Sequence, residues 1–320
     1  MKTPLTLLTA AFAVLLVAPA GCSSKSDDAA DTPEGACEAY AETYCARSQQ
    51  CNAYFAATYT SLAQCNSHRT AACKAEAALP GSGLTPTYLN ECRAALGGAS
   101  CDVSTSEVCP PLRGARAAGQ PCAEDTQCSS GSCSGEGDLK CGTCRPGAEL
   151  GQACSDGTPC VGNLHCKGST SGAGGSGSTD GTCVARLAAG SKCGPGDSCA
   201  SPNSCRDGVC SPYPGKGQPC TGVCASGLTC TTDLGSTTGT CTPTVVKIAQ
   251  PGESCLALQC AGGGECRNGI CTAPLEIGST CSASTGSGGT SGTSYPDGSC
   301  GGLAKCVNGT CQIRPFPICN

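Results

Sequence analysis

Tryptophan is absent from this 320-residue chain, methionine occurs once, at the first position, and phenylalanine three times. With seven Tyr the aromatics number ten. Length alone would accommodate about two ordinary domains. So few large apolar side chains cannot fill two ordinary hydrophobic cores, because aromatics supply much of the area that such cores bury. Charge is sparse too: 13% of residues are charged, and the formal net charge is −5. The first figure excludes a highly charged disordered polymer, and the second lacks the basic footprint that nucleic acid demands. Histidine occurs only at His68 and His165, which leaves little for imidazole catalysis or metal ligation. The longest apolar run, Leu5 to Val17, falls short of the roughly 20 residues that a membrane-spanning helix needs.

What the chain has instead is 35 Cys and 46 Gly. Cysteine is about 11% of the residues, and more than about 8–10% marks a disulfide scaffold. Sulfur used on this scale belongs to an oxidising, extracytoplasmic compartment. The N-terminus agrees. Lys2 followed by the apolar stretch reads as an export signal over 1–21. Ala18-Pro19-Ala20 would suit ordinary signal peptidase, whereas Ala20-Gly21-Cys22 resembles the end of a bacterial lipobox, in which Cys22 becomes the diacylated first residue. Parity favours the second reading: setting Cys22 aside leaves 34 cysteines, an even number that can all pair. Residues 22–36, beginning Ser23-Ser24-Lys25-Ser26-Asp27-Asp28, then form a polar tether whose acidic residues, Asp27, Asp28 and Asp31, keep it solvated. By resemblance to the bacterial sorting rule, Ser23 after the anchor directs the protein to the outer membrane and cell surface. Without the lipid the same chain would be secreted.

Residues 37–109 carry eight Cys: Cys37, Cys45, Cys51, Cys65, Cys73, Cys92, Cys101 and Cys109. Their spacing is helical. Cys37, Tyr40, Ala41, Tyr44 and Cys45 fall on one face, after a Thr32-Pro33 start. Ser61-Leu62-Ala63-Gln64 has the capping-box pattern, and Leu62, Cys65, Arg69, Ala72 and Cys73 then share a face, with Arg69 at its edge. A third helix opens at Thr85-Pro86, carries Tyr88, Cys92, Ala95 and Leu96 on one stripe, and is expected to end on Gly97-Gly98 through a positive φ. A region of about 70 residues with this composition makes a marginal core, and each unstrained cross-link adds about 2–4 kcal/mol by restricting the unfolded chain. Two Cys eight positions apart on a helix lie about 12 Å apart along its axis, too far to bond. Cys37 and Cys45 therefore need different partners, and so do Cys65 and Cys73.

Residues 119–311 hold the strongest pattern. Gly-x-x-Cys opens six units, at Cys122, Cys154, Cys193, Cys220, Cys255 and Cys281, and Gly-x-Cys closes them, at Cys144, Cys183, Cys210, Cys241, Cys271 and Cys311. Between lie Cys128 and Cys133, then five C-x5-C pairs: Cys160/Cys166, Cys199/Cys205, Cys224/Cys230, Cys260/Cys266 and Cys300/Cys306. Such self-similarity marks a tandem repeat, over 119–144, 151–183, 190–210, 217–241, 252–271 and 278–311, with a tail at 312–320. Asp207-Gly208, Asn268-Gly269 and Asn308-Gly309 sit where a tight β-hairpin turn needs two residues at positive φ. Asn308-Gly309-Thr310 also matches a glycosylation sequon, but the turn explains it. Elsewhere the gaps widen into Gly/Ser/Thr-rich loops, at 169–180 and 282–299. The fold class expected is small and disulfide-rich: an N-terminal disulfide-linked α-helical domain, then tandem disulfide-tied β-hairpin modules with long loops. Four Cys per module allow three pairings; an interlocked first-to-third, second-to-fourth pattern is preferred. Cys141 and Cys319 fall outside the pattern, and either pair with each other or send Cys141 to the helical region.

The first unit, with Cys122-Ala-Glu-Asp125-Thr-Gln-Cys128, Cys133 and Cys141-Gly-Thr-Cys144-Arg145, resembles the Dickkopf N-terminal cysteine-rich domain, as does Cys205-Arg206-Asp207-Gly208-Val209-Cys210. In style the repeats are also similar to EB and EGF-like modules. The layout as a whole resembles bacterial surface lipoproteins with a helical Cys-rich head and Dickkopf-like repeats. The resemblance implies an extracellular disulfide scaffold and no particular receptor.

Chemistry is scarce by the same reading. Cys141-x2-Cys144 is half a zinc site, and an exported chain favours disulfides over zinc thiolates. His68 and His165 are expected to be exposed polar residues, the first on a helix and the second in a repeat loop. No nucleophile, metalloprotease or phosphate-loop motif is present, so neither enzyme activity, cofactor nor metal is expected. The function expected is that of a non-enzymatic surface lipoprotein. Its membrane partner is reached through the lipid, and an extended repeat array, each module touching mainly its neighbours, is offered to an extracellular protein or glycan. A structural envelope stalk and a secreted protease inhibitor are the alternatives.

Overall fold

The computed structural model describes residues 31–134, 141–155, 157–168, 181–233, 235–256, 258–281, 300, 304–313 and 315–319. The export signal, Cys22, most of the tether and the loops 169–180 and 282–299 lie outside the described residues. Five α-helices come first: α1 Pro33–Cys51, α2 Phe55–Thr58, α3 Leu62–Ala77, α4 Pro86–Gly98 and α5 Thr105–Val108. Short strands follow, paired mainly as antiparallel hairpins. The molecule is thus a disulfide-rich fold of helices and small hairpin sheets.

The helix starts follow from their caps. The hydroxyls of Thr32, Ser61 and Thr85 accept from the amides of Gly35, Gln64 and Tyr88 at 3.1, 3.1 and 3.2 Å, each satisfying an otherwise orphaned donor. Two local expectations change. The Gln64 side chain does not close a box on Ser61; its carbonyl oxygen accepts from the Thr60 amide at 2.7 Å. Gly97 and Gly98 stay helical, and the chain leaves through Ala99 at φ −82° and ψ 141°. Extended backbone at Ala99 already turns the chain, so no left-handed residue is required.

The helical head is held by sulfur where larger side chains are missing. Cys37–Cys73 and Cys45–Cys65 both join α1 to α3. Numbers rise along one helix as they fall along the other, so the helices run antiparallel, and the equal eight-residue spacing keeps the two bridges in step. Cys51–Cys101 and Cys92–Cys109 fasten the segment after α4 to α1 and α4. Around these bridges pack Ala36, Phe55, Tyr59, Leu89 and Leu96, all buried. On α4 the fully buried stripe is Leu89, Cys92 and Leu96; Tyr88 packs half-buried against the same core, and Leu89 joins it there.

In each repeat the first Cys bonds the third and the second bonds the fourth: Cys122–Cys133 with Cys128–Cys144, Cys154–Cys166 with Cys160–Cys183, Cys193–Cys205 with Cys199–Cys210, Cys220–Cys230 with Cys224–Cys241, Cys255–Cys266 with Cys260–Cys271, and Cys281–Cys306 with Cys300–Cys311. The hydrogen bonds repeat with them. The opening glycine's amide donates to the fourth cysteine's carbonyl at 2.7–2.8 Å, from Gly119 to Cys144 through Gly278 to Cys311. These glycines have φ of 78–90°, a region closed to most side chains, which explains their recurrence. The residue after each glycine accepts in return from that cysteine's amide, as Gln120 does from Cys144. Where this residue is Gln or Glu its side chain also closes the preceding turn, as when Gln218 accepts from the Gly215 amide at 2.8 Å. Asp207, Asn268 and Asn308 take φ of 49–51°, each followed by glycine at 78–80°, the pairing of a type I′ hairpin turn. Two units carry a third strand, Ala153–Cys154 and Pro219–Cys220.

The expected extended array, with modules touching mainly their neighbours, is not what the described residues form. Several units and linkers fold back onto the head. Cys141 of the first unit bonds Cys319 of the tail, across 178 residues. The first unit is zipped to the head through the Gly83 amide on the Thr126 carbonyl at 2.7 Å and Gln127 Nε2 on the Pro80 carbonyl at 2.9 Å. The third and the linker before it reach it through Ser201 on Asp102 and Arg186 beside Glu107, the fourth through Ser226 on Cys51, and the linker before the sixth through Glu276, which accepts from Gln64 Nε2. In the fifth, a Cβ at Gly262 would lie 2.2 Å from Thr60 Cγ2, so glycine alone permits that approach. The repeat pattern encodes the unit but not the turn from one unit to the next, which these side-chain contacts decide.

Candidate functional site

A cleft of about 460 Å³ opens where the head meets the fourth repeat. One wall is α1, whose Tyr44, Arg47, Ser48 and Cys51 stand at i, i+3, i+4 and i+7 and so share a face. The floor is the segment from Cys101 to Thr105, pinned to the end of α1 by Cys51–Cys101. The opposite wall is Tyr213, Cys224 and Ser226 of the fourth unit and its linker, braced by Cys224–Cys241. Sulfur therefore reaches all three sides.

Polar groups tie the walls together. Arg47 Nη2 donates to the carbonyls of Ser100 (2.7 Å) and Val103, and its Nε is buried without a hydrogen-bond partner among the described residues. Asp102 Oδ1 accepts from the Ser226 amide, and Ser226 Oγ donates to the Cys51 carbonyl at 3.3 Å. Asn52 spends its side-chain oxygen on the Tyr54 amide at 2.9 Å, leaving its NH₂ group as donor. Tyr44 is held from behind: Arg69 Nη2 donates to its hydroxyl at 2.8 Å, and the Arg69 guanidinium lies 4.2 Å from its ring centroid. Beside it, burial pushes the Tyr40 hydroxyl up to about 12, against the pull of Arg69.

Beside the cleft, Glu107 braces α5 against the third repeat. Burial opposes its ionisation, but hydrogen bonds from Ser201 and Ser104 and the Arg186 guanidinium outweigh that and hold the carboxyl below the usual range. Neither histidine lines the cleft, and neither has the exposed setting expected. His68 is 1% exposed, on α3. Its ring meets Tyr59 edge-on at 6.3 Å, and its Nδ1 has no hydrogen-bond partner among the described residues. Burial pushes its pKa down, with Glu276 pulling the other way. Position 68 follows Cys65 by three residues and so stands beside the buried stripe of the helix; packing against Tyr59 decides that it is covered. His165 lies in the strand Leu164–Lys167, not in a loop, with both ring nitrogens buried and unpartnered among the described residues.

The remaining sulfur clusters are the bridges themselves. Three cysteine sulfurs within 4.8 Å of one another recur in the repeats, as at Cys122, Cys128 and Cys133, but each belongs to a disulfide and offers no thiolate. The C-x2-C half-site is split between two bridges, Cys141 to Cys319 and Cys144 to Cys128. Sequence reasoning does not single out the cleft. The i, i+3, i+4, i+7 run from Tyr44 to Cys51 is the available signal, but its partners Asp102 and Tyr213 are remote in the chain. No protein-family model, no curated protein and no solved structure matches the chain.

Proposed function

We propose that this chain is a non-enzymatic, exported binding protein, held at the outer membrane by a lipid on Cys22, whose disulfide-clamped body presents the cleft between head and fourth repeat to a ligand outside the cell. The cleft carries the reading. Its walls come from segments far apart in sequence and are fixed by cystines, so the site is preformed, which lowers the cost of ordering on binding. The export signal and the Dickkopf-like order of the repeats fit the same compartment. Cysteine bookkeeping supports the anchor: 17 bridges among the described residues engage 34 of the 35 Cys, all but Cys22.

Two measurements test this. Mass spectrometry of the mature protein is expected to find a diacylated Cys22 at the N-terminus and no alkylatable thiol before reduction; an unmodified start at Gly21 sinks the anchor. Labelled protein is expected to attach to cells or matrix saturably, and reduction is expected to abolish attachment. Absence of any saturable attachment would favour the structural stalk.

A further inference from the structure

The chemistry of the cleft narrows its ligand. Ser48, Thr105 and Tyr213 line it with hydroxyls that make no hydrogen bond among the described residues. Among the described residues, Asn52 has no partner for its NH₂, Arg47 no carboxylate for its guanidinium, and Asp102 engages only Oδ1. One cation and one anion balance, so the lining has no excess charge to select an ion. The single aliphatic residue in the lining is Val103. Ligand pockets are ordinarily mostly apolar, with a few placed polar groups; this one reverses the proportion. A greasy ligand would strip water from these groups and return no hydrogen bonds, a cost of about 1–3 kcal/mol for each unpaired group. A peptide would want a strand edge, an apolar groove or a charge cluster, and the lining has neither the apolar side chains nor the net charge.

Hydroxyl groups answer both demands, since each donates and accepts. Mixed donors, acceptors and hydroxyls beside two tyrosine rings suit a molecule with hydroxyls at its rim and C–H groups on its faces. We infer that the cleft binds a neutral, hydroxyl-rich saccharide, a specification that rests on the binding reading above. The volume of about 460 Å³ lies within the roughly 300–1,000 Å³ common for small-molecule sites. Tyr213 and Thr105 supply hydroxyls to the sugar, and the rigid α1 wall supplies Arg47 and, just past its end, Asn52.

The test uses the full oxidised chain, isotope-labelled, titrated with maltotriose, cellotriose, triacetylchitotriose, trigalacturonate and trialanine while amide signals are followed by NMR. At least one neutral trisaccharide is expected to shift signals of Asn52, Asp102, Tyr213 and Ser226 saturably, and the acidic one to bind more weakly. Tyr213→Phe and Thr105→Val keep side-chain shape and remove one hydroxyl each; each is expected to weaken binding about threefold to tenfold. Val245→Ser, at a site 79% exposed and outside the cleft, is expected to leave affinity unchanged. The inference is overturned if no neutral saccharide moves the cleft signals, or if both hydroxyl deletions leave affinity intact. Shifts with trialanine alone would overturn the saccharide while keeping the binding reading. No shift with any probe, together with no saturable attachment to cells, would remove both.

Discussion

At the scale of single residues, His68 sits in an environment that its type does not suggest. Its buried ring resists protonation, and Glu276 offsets only part of that. The sign of the consequence follows from linkage. A histidine whose folded pKa is depressed binds more protons when unfolded, so stability is lost as pH falls below about 6.5, the ordinary value, toward the folded one. Urea unfolding with bridges intact is therefore expected to give a lower midpoint at pH 5.5 than at pH 7.5, and His68→Gln to flatten that difference. Equal pH dependence in both proteins would remove His68 as the cause. Glu107 acts in a different range: its lowered pKa keeps its contribution present above the ordinary carboxylate region and removes it only in stronger acid, so the two groups separate by pH.

Within the elements, two glycines make opposite demands on their side chain. Gly217 opens the fourth repeat at φ 78°, donates its amide to Cys241, and has nothing within 4 Å of a built Cβ. Alanine there meets no neighbour, so its effect is conformational alone. Gly217→Ala is expected to cost about 1–2 kcal/mol, the usual penalty for left-handed backbone. Gly97 is helical and equally open around its Cβ. Gly97→Ala is expected to stabilise by about 0.5–1 kcal/mol, because alanine loses less backbone freedom on entering a helix. Denaturant midpoints of the two variants should move in opposite directions from the parent. Movement in the same direction would mean that the turn and the helix end are not as described.

For the whole molecule, the decisive contact is Cys141–Cys319. It joins the first repeat to the tail, and Arg116 Nη1 donates to the Cys319 carbonyl at 3.0 Å beside it. Within each unit the two interlocked bridges close loops of 10–25 residues, so local structure does not depend on the long closure. The double variant Cys141→Ser with Cys319→Ser is expected to keep the other 16 bridges on peptide mapping, yet to lose about 2–4 kcal/mol of stability. Hydrogen exchange should quicken around Ile318 and the first repeat while the α1–α3 pair stays protected. Unchanged exchange there would show that the head contacts alone hold the first repeat and the tail in place.

Much of this was legible in residue order. Helix starts at Thr32-Pro33, Ser61 and Thr85-Pro86, the six-fold unit, and the Asp-Gly and Asn-Gly turns are local, set by backbone conformations that few residue types can adopt. Leu89 beside Tyr88, the helical Gly97-Gly98 and the buried His68 escaped it, because a helical stripe fixes a face only to within about a residue until its packing partner is known. The cleft escaped it more completely. Tyr44, Asp102 and Tyr213 sit far apart in sequence, and nothing local tells a chain which of its polar side chains will meet. By itself the amino-acid order settled that sulfur would stand in for a missing apolar core, and where each small unit would turn. The tertiary structure alone decided that several units fold back onto the head and that a polar cleft opens where the fourth meets it, because those outcomes depend on contacts between surfaces that no repeat period encodes.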